Sequence, residues 1–159
     1  MSVAIDIQVA SSVDSVPDEK AIQCWLEDVI NNVGGNSGLN REISVRIVDE
    51  EEGHALNKQY REQDKATNVL SFPAVGPSES ELPAELSHSL GDIVICGPVV
   101  EREAAEQNKE IGSHWAHLLV HGGLHLLGYD HETDKDAAEM EKLETRILAA
   151  RGIDDPYAA

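Results

Sequence analysis

His114-Trp115-Ala116-His117-Leu118-Leu119-Val120-His121-Gly122-Gly123-Leu124-His125-Leu126-Leu127-Gly128-Tyr129-Asp130-His131 is the stretch around which the rest of the chain organises. Its spacing predicts a helix from about Gly112 to Leu127 that stops at Gly128. The helix is apolar over so much of its surface that it belongs at the core. His121 and His125, four apart, fall on one face about 6 Å apart along the axis. Two imidazoles so placed can converge on one metal ion at about 2.0–2.1 Å. Gly128 accepts the left-handed conformation that ends a helix and turns the chain, so His131 can fold back as a third ligand. Three protein ligands leave one position open, which is the arrangement of a catalytic rather than a structural zinc. Such an ion lowers the pKa of bound water to about 7 and polarises a bound oxygen. A single helical histidine is ordinarily structural; three at this spacing, with glycine at the bend, point to one zinc per chain.

Working outward, strands and helices interleave. Val3 to Val9 alternates apolar and polar, as a half-buried strand does. Pro17 to Asn32 carries the stripe Ile22, Trp25, Leu26, Val29 and Ile30, with Asp14 or Ser15 as a cap. Glu42 to Val48 is a second alternating strand. Asp49 is placed to cap a helix from about Glu50 to Glu62. Asn68 to Phe72 is a short strand ended by Pro73, and residues 74–88 read as an exposed loop. Leu90 to Cys96 is a fourth, mostly apolar strand. Gly97-Pro98 opens a helix to about Lys109, and a last helix runs from about Asp134 to Ala150. The pattern predicts an α+β fold: one small mixed sheet of about four strands packed with about five helices, with the zinc site on a central helix and the following turn. No repeat or internal boundary interrupts it, so residues 1–159 are expected to form one metallohydrolase domain.

The composition is that of a globular protein, 41% hydrophobic, but poor in aromatics, with one Phe, two Trp and three Tyr. No basic leader with an apolar run opens the chain, and no run approaches the roughly 20 apolar residues of a membrane span. Cys24 and Cys96 stand far apart and read as reduced, buried thiols of a cytoplasmic protein. The net charge of −18 argues against a tight, sequence-blind grip on nucleic acid. Arg41, Arg46, Lys58, Arg61 and Lys65, however, are five of the twelve basic residues and leave room for a local positive patch.

The histidine spacing also fits the metalloprotease pattern H-E-x-x-H-x-x-G-x-x-H, with one departure. The protease has a glutamate general base after the first histidine, and Gly122 stands there instead. Met140 falls inside a predicted helix rather than in a turn. Gly122-Gly123 should cost the helix up to roughly 2 kcal/mol relative to two alanines. Either this bareness opens room above the metal for a bulky substrate, or it lets the helix pack closely on a strand.

The stretch His114 to His131 resembles the signature of the YbeY family. Three further blocks agree: Leu56-Asn57, Tyr60-Arg61, Asp64-Lys65 and Thr67 to Pro73; Leu90 to Cys96; and Asp155-Pro156-Tyr157. The likeness covers most of the chain from about residue 42. It implies a single-strand-specific, metal-dependent endoribonuclease acting in ribosomal RNA maturation, especially at the small-subunit 3′ end, and in ribosome quality control. The resemblance carries metal ligation onto His121, His125 and His131 and a catalytic or substrate role onto Arg61, whose guanidinium can grip phosphate oxygens.

Other residues carry two readings each. His114 and His117 line the cleft or bind substrate, or are buried and hydrogen-bonded. Asp92 and Asp130 orient a ligand histidine from behind, or cap a helix. Glu139, Glu141, Lys142 and Glu144 read as a solvated face of the last helix. Three functions follow: a metal-dependent ribonuclease on single-stranded ribosomal RNA, a metalloprotease lacking its usual base, or a ribosome assembly factor with a mainly structural zinc. The acidic charge suits a protein that meets RNA when a ribosomal subunit or partner protein delivers it; no membrane partner is expected.

Overall fold

The computed structural model describes residues 3–33, 40–61, 67–73, 87–129 and 132–157. These form β1 (Val3–Ala10), α1 (Glu19–Val33), β2 (Asn40–Val48), α2 (Glu50–Arg61), β3 (Val69–Pro73), β4 (Ser87–Cys96), α3 (Gly97–Glu106), α4 (Ile111–Leu126) and α5 (Asp134–Ala149). The sheet order is β1-β2-β4-β3. β1 and β4 run parallel to β2, whereas β3 pairs antiparallel to β4. The fold is thus α+β, with a mixed four-stranded sheet and five helices among the described residues.

Local chemistry accounts for the ends of these elements. α1 begins later than Asp14 or Ser15 would place it, because the Asp18 carboxylate accepts from the Ala21 N–H at 2.8 Å. Ser15 instead accepts from the Trp115 indole N–H at 3.2 Å. The Asp49 carbonyl accepts from Gly53 N–H at the start of α2, while its carboxylate accepts from Ser11 and Ser12. β4 starts at Ser87, three residues before the apolar run that announces it.

Alternation divides the sheet into two faces. Ile43, Val45, Ile47, Ile93 and Ile95 pack against Ile22, Leu26 and Ile30 of α1 and Trp115, Leu118 and Leu119 of α4. Each such aliphatic side chain, fully buried, is worth about 1.5–3 kcal/mol. Val48, Leu70, Val94 and Cys96 look the other way, toward Val99, Leu56 and Phe72. Ten of the sixteen residues of α4 are buried, which sets it at the centre. Its remaining apolar side, Ala116, Val120 and Leu124, meets Val29 of α1 and Met140, Ile147 and Leu148 of α5. That cluster brings α5 alongside the histidines.

The two glycines of α4 serve close packing. A Cβ on Gly122 would sit 3.1 Å from Ile93 Cγ2, and one on Gly123 would sit 3.2 Å from Leu26 Cδ2. The Ser71 hydroxyl donates to the Gly122 carbonyl at 3.3 Å. The bareness lets α4 lie close on the sheet at Gly122 and close on α1 at Gly123, rather than opening room over a metal. The cysteines are free; Cys96 is buried and Cys24 only partly so.

Candidate metal centre

α4 ends as its sequence predicts. Gly128 has φ 96°. Its N–H donates to the His125 carbonyl at 3.0 Å and Tyr129 N–H donates to the Leu124 carbonyl at 3.1 Å, the two bonds of a Schellman motif. Tyr129 and Leu124 share the same apolar cluster. Asp130 and His131, which follow the bend, lie outside the described residues.

His117, His121 and His125 follow one another along α4. The ring centroids of His117 and His121 are 6.2 Å apart, and those of His121 and His125 are 4.5 Å apart. His121 Nε2 and His125 Nε2 approach to 3.0 Å. Two nitrogens bound tetrahedrally to one zinc at ordinary bond lengths lie about 3.3 Å apart. The pair therefore fits a shared ion with little adjustment.

Behind this pair stands Glu144 of α5, a residue the sequence does not single out. It is fully buried (0% exposed), not part of a solvated face. His121 Nδ1 lies 2.5 Å from its Oε1, and His117 Nε2 lies 3.0 Å from its Oε2. The Tyr157 hydroxyl donates to the same Oε2 and lies 3.1 Å from His117 Nε2. Burial works to raise the Glu144 pKa, but the hydrogen bonds from His117, His121 and Tyr157 outweigh it and lower it to about 2. Burial and the hydrogen bond to Glu144 push the Tyr157 hydroxyl well above its usual value, so it stays a donor. An ionised carboxylate only accepts hydrogen bonds, so His121 donates from Nδ1 and keeps the Nε2 lone pair. That is the carboxylate–histidine pairing by which proteins orient metal ligands.

His117, His121 and Glu144 also form a group whose ligand atoms lie within 4.8 Å of one another and could hold a metal ion. The two Glu144 oxygens already accept three hydrogen bonds there, whereas the far edge of His121 faces His125. The chemistry favours the far edge for the ion and Glu144 as the orienting group.

The other singled-out residues scatter. His114 is buried at 4% exposure, and its Nε2 lies 3.0 Å from Glu103 Oε1, which also accepts from Asn68 Nδ2 at 3.0 Å. His114 therefore ties α4 to α3. Asp92 is exposed and lies beside Ser44, Arg46 and Phe72, across the sheet from α4. It neither orients a histidine of α4 nor caps that helix, because its neighbour Ile93 takes the inward position. Arg41 is buried, and Arg46 pairs with Glu52 at 2.5 Å, so neither offers a bare positive patch. Arg61 closes α2, with its side chain outside the described residues, and Lys65 lies outside them altogether.

The sequence profile described as Endoribonuclease YbeY matches residues 6–152. The chain belongs to the YbeY family. A YbeY relative, the endoribonuclease YbeY of Halorhodospira halophila (strain DSM 244 / SL1), is 57% identical over 143 residues, 90% of this chain and 89% of that protein. The YbeY fold is also matched by the solution structure of TM1509 from Thermotoga maritima, with a TM-score of 0.54 and 24% identity over 96% of this chain and 99% of that one. Among the described residues, no helix of this YbeY member is long and apolar enough to cross a membrane.

Proposed function

We propose that the chain is a zinc-dependent endoribonuclease that cuts single-stranded RNA. The observation that carries this reading is the meeting of His121 Nε2 and His125 Nε2 at 3.0 Å, with Glu144 on the other nitrogen of His121. Membership of a family described as an endoribonuclease supplies the substrate class. His121, His125 and His131 would hold the ion. When bound, zinc supplies Lewis acidity toward a phosphate oxygen and makes water acidic enough to serve as a nucleophile near neutral pH. Arg61 binds the phosphodiester and neutralises the charge that develops on it. Glu144 holds the His121 proton at Nδ1 throughout. Gly122 is buried against Ile93 and has no side chain to act as a peptidase base, which disfavours proteolysis.

The biological setting we infer is ribosomal RNA maturation at the small-subunit 3′ end and ribosome quality control in the cytoplasm, with one domain acting on RNA delivered by a ribosomal subunit or a protein partner. The net charge of −18 supports delivery over capture. The test compares metal-loaded and metal-stripped protein on single-stranded RNA, beside His121→Ala. Cleavage lost with the metal and with the variant is the expected result. Full activity in either arm overturns the reading. Metal retention without cleavage by loaded protein favours an assembly factor with a structural ion.

A further inference from the structure

We infer that Tyr157 is a positioning residue of the metal centre, acting through Glu144 on His121. The inference rests on the proposed metal reading for its consequence but on the apoprotein geometry for its content.

Glu144 is a buried carboxylate with two donors on Oε2, His117 Nε2 and the Tyr157 hydroxyl, and one on Oε1, His121 Nδ1. A carboxylate held at one oxygen only can swing about its last torsion and exchange the oxygen it offers. Held at both, and by donors from α4 and from the segment after α5, it presents Oε1 to His121 in one orientation. Tyr157 is the donor that comes from outside α4. Its ring meets the His117 ring edge-on, with centroids 5.2 Å apart and planes at 84°. The segment that carries it is fastened in turn. Asp155 Oδ1 accepts from Tyr157 N–H at 2.8 Å and from the Thr145 hydroxyl of α5 at 3.3 Å. Thr145 adjoins Glu144, so the chain after α5 loops back onto the residue it clamps. Tyr157 is nevertheless 45% exposed, one of two large hydrophobic side chains exposed among the described residues. Its hydroxyl is turned inward, onto Glu144 and His117.

Removal of the Tyr157 hydroxyl leaves His117 Nε2 alone on Oε2, so both remaining donors come from α4 and nothing fixes the carboxylate from the other side; it can then turn away from His121 Nδ1. The neutral His121 ring then populates the tautomer with hydrogen on Nε2, whose lone pair is no longer available to an ion.

The experiment uses the full chain and Tyr157→Phe, which keeps the ring and its edge contact with His117. Two readouts are taken. The first is the 15N spectrum of His121 in the metal-free protein at pH 8, which needs no ion. Wild type is expected to show one tautomer, hydrogen on Nδ1, and Y157F a mixture. The second is zinc affinity by competition with a chromophoric chelator, expected to weaken about 10-fold, the low end for groups behind metal ligands. An unchanged tautomer in Y157F overturns the inference, even where the melting temperature falls, because a merely structural tail would move stability alone. If His121→Ala binds zinc as wild type does, the metal reading fails, while the tautomer measurement still decides the role of Tyr157.

Discussion

His121 Nδ1 and Glu144 Oε1 lie 2.5 Å apart, joining two helices across 23 residues of sequence. One nitrogen of the ring is thereby committed to the protein interior and the other to whatever lies in front of His125.

Glu144→Gln keeps the shape of the side chain and removes its charge. Its amide nitrogen then faces donors on His117, His121 or Tyr157. Zinc affinity is expected to fall about 10–100-fold, with cleavage falling alongside. A chelator competition that gave wild-type affinity would show that Glu144 does not orient the ligand.

Arg61→Ala and His125→Ala should separate binding of the ion from chemistry on the phosphate. The histidine variant is expected to lose zinc and cleavage together. The arginine variant is expected to keep one zinc per chain and lose about 10²–10³-fold in kcat. Metal content measured on both purified proteins, beside single-stranded RNA cleavage, makes the comparison; loss of zinc from the arginine variant would contradict the division of roles.

Gly128→Ala tests the bend. The position has φ 96°, and an added Cβ would meet nothing within 4 Å among the described residues, so the cost is backbone strain and not collision. Urea denaturation is expected to show a loss of about 1–2 kcal/mol. A neutral result would mean that the turn relaxes without penalty.

His114 gives the protein a mild acid sensitivity. Burial lowers its pKa, against the opposing pull of Glu103, with Lys109 and His117 adding to the depression. The unfolded chain therefore takes up a proton near pH 6.5 that the folded chain refuses. Stability is expected to be full above that pH and to decline as pH falls below it, levelling once the folded-state pKa is passed. His114→Leu should flatten the slope just below pH 6.5; a slope unchanged in that variant would assign it to another group.

Much of the fold could be read from periodicity. Ile22, Leu26, Val29 and Ile30 mark α1, the alternation from Glu42 to Val48 marks β2, and Gly128 marks the end of α4. Glu144 is hidden from a reading by charge, because its neighbours Glu139, Glu141 and Lys142 mark a solvated face. It lies in the stripe Met140, Glu144, Ile147 and Leu148, all buried, and a carboxylate in such a stripe signals a buried partner. Asp92 is the converse: a polar residue in an apolar strand points toward the histidines by composition, yet alternation with Ile93 turns it to the opposite face. The partners of His114 and His117 lie on other elements, Glu103 of α3 and Glu144 of α5, and spacing within one helix carries no information about them.

The strand order β1-β2-β4-β3 has a consequence for how the molecule is made. Strands β2 and β3 share no ladder; both pair with Ser87–Cys96, which leaves the ribosome after them. A nascent chain that stops short of residue 87 can join β1 to β2 but leaves β3 with no neighbour. Insertion of the last strand into the middle is a long-range closure of the kind that slows folding. The histidines and their glutamate emerge later still, so the candidate metal centre is completed only after the sheet strands that carry its helix have been made.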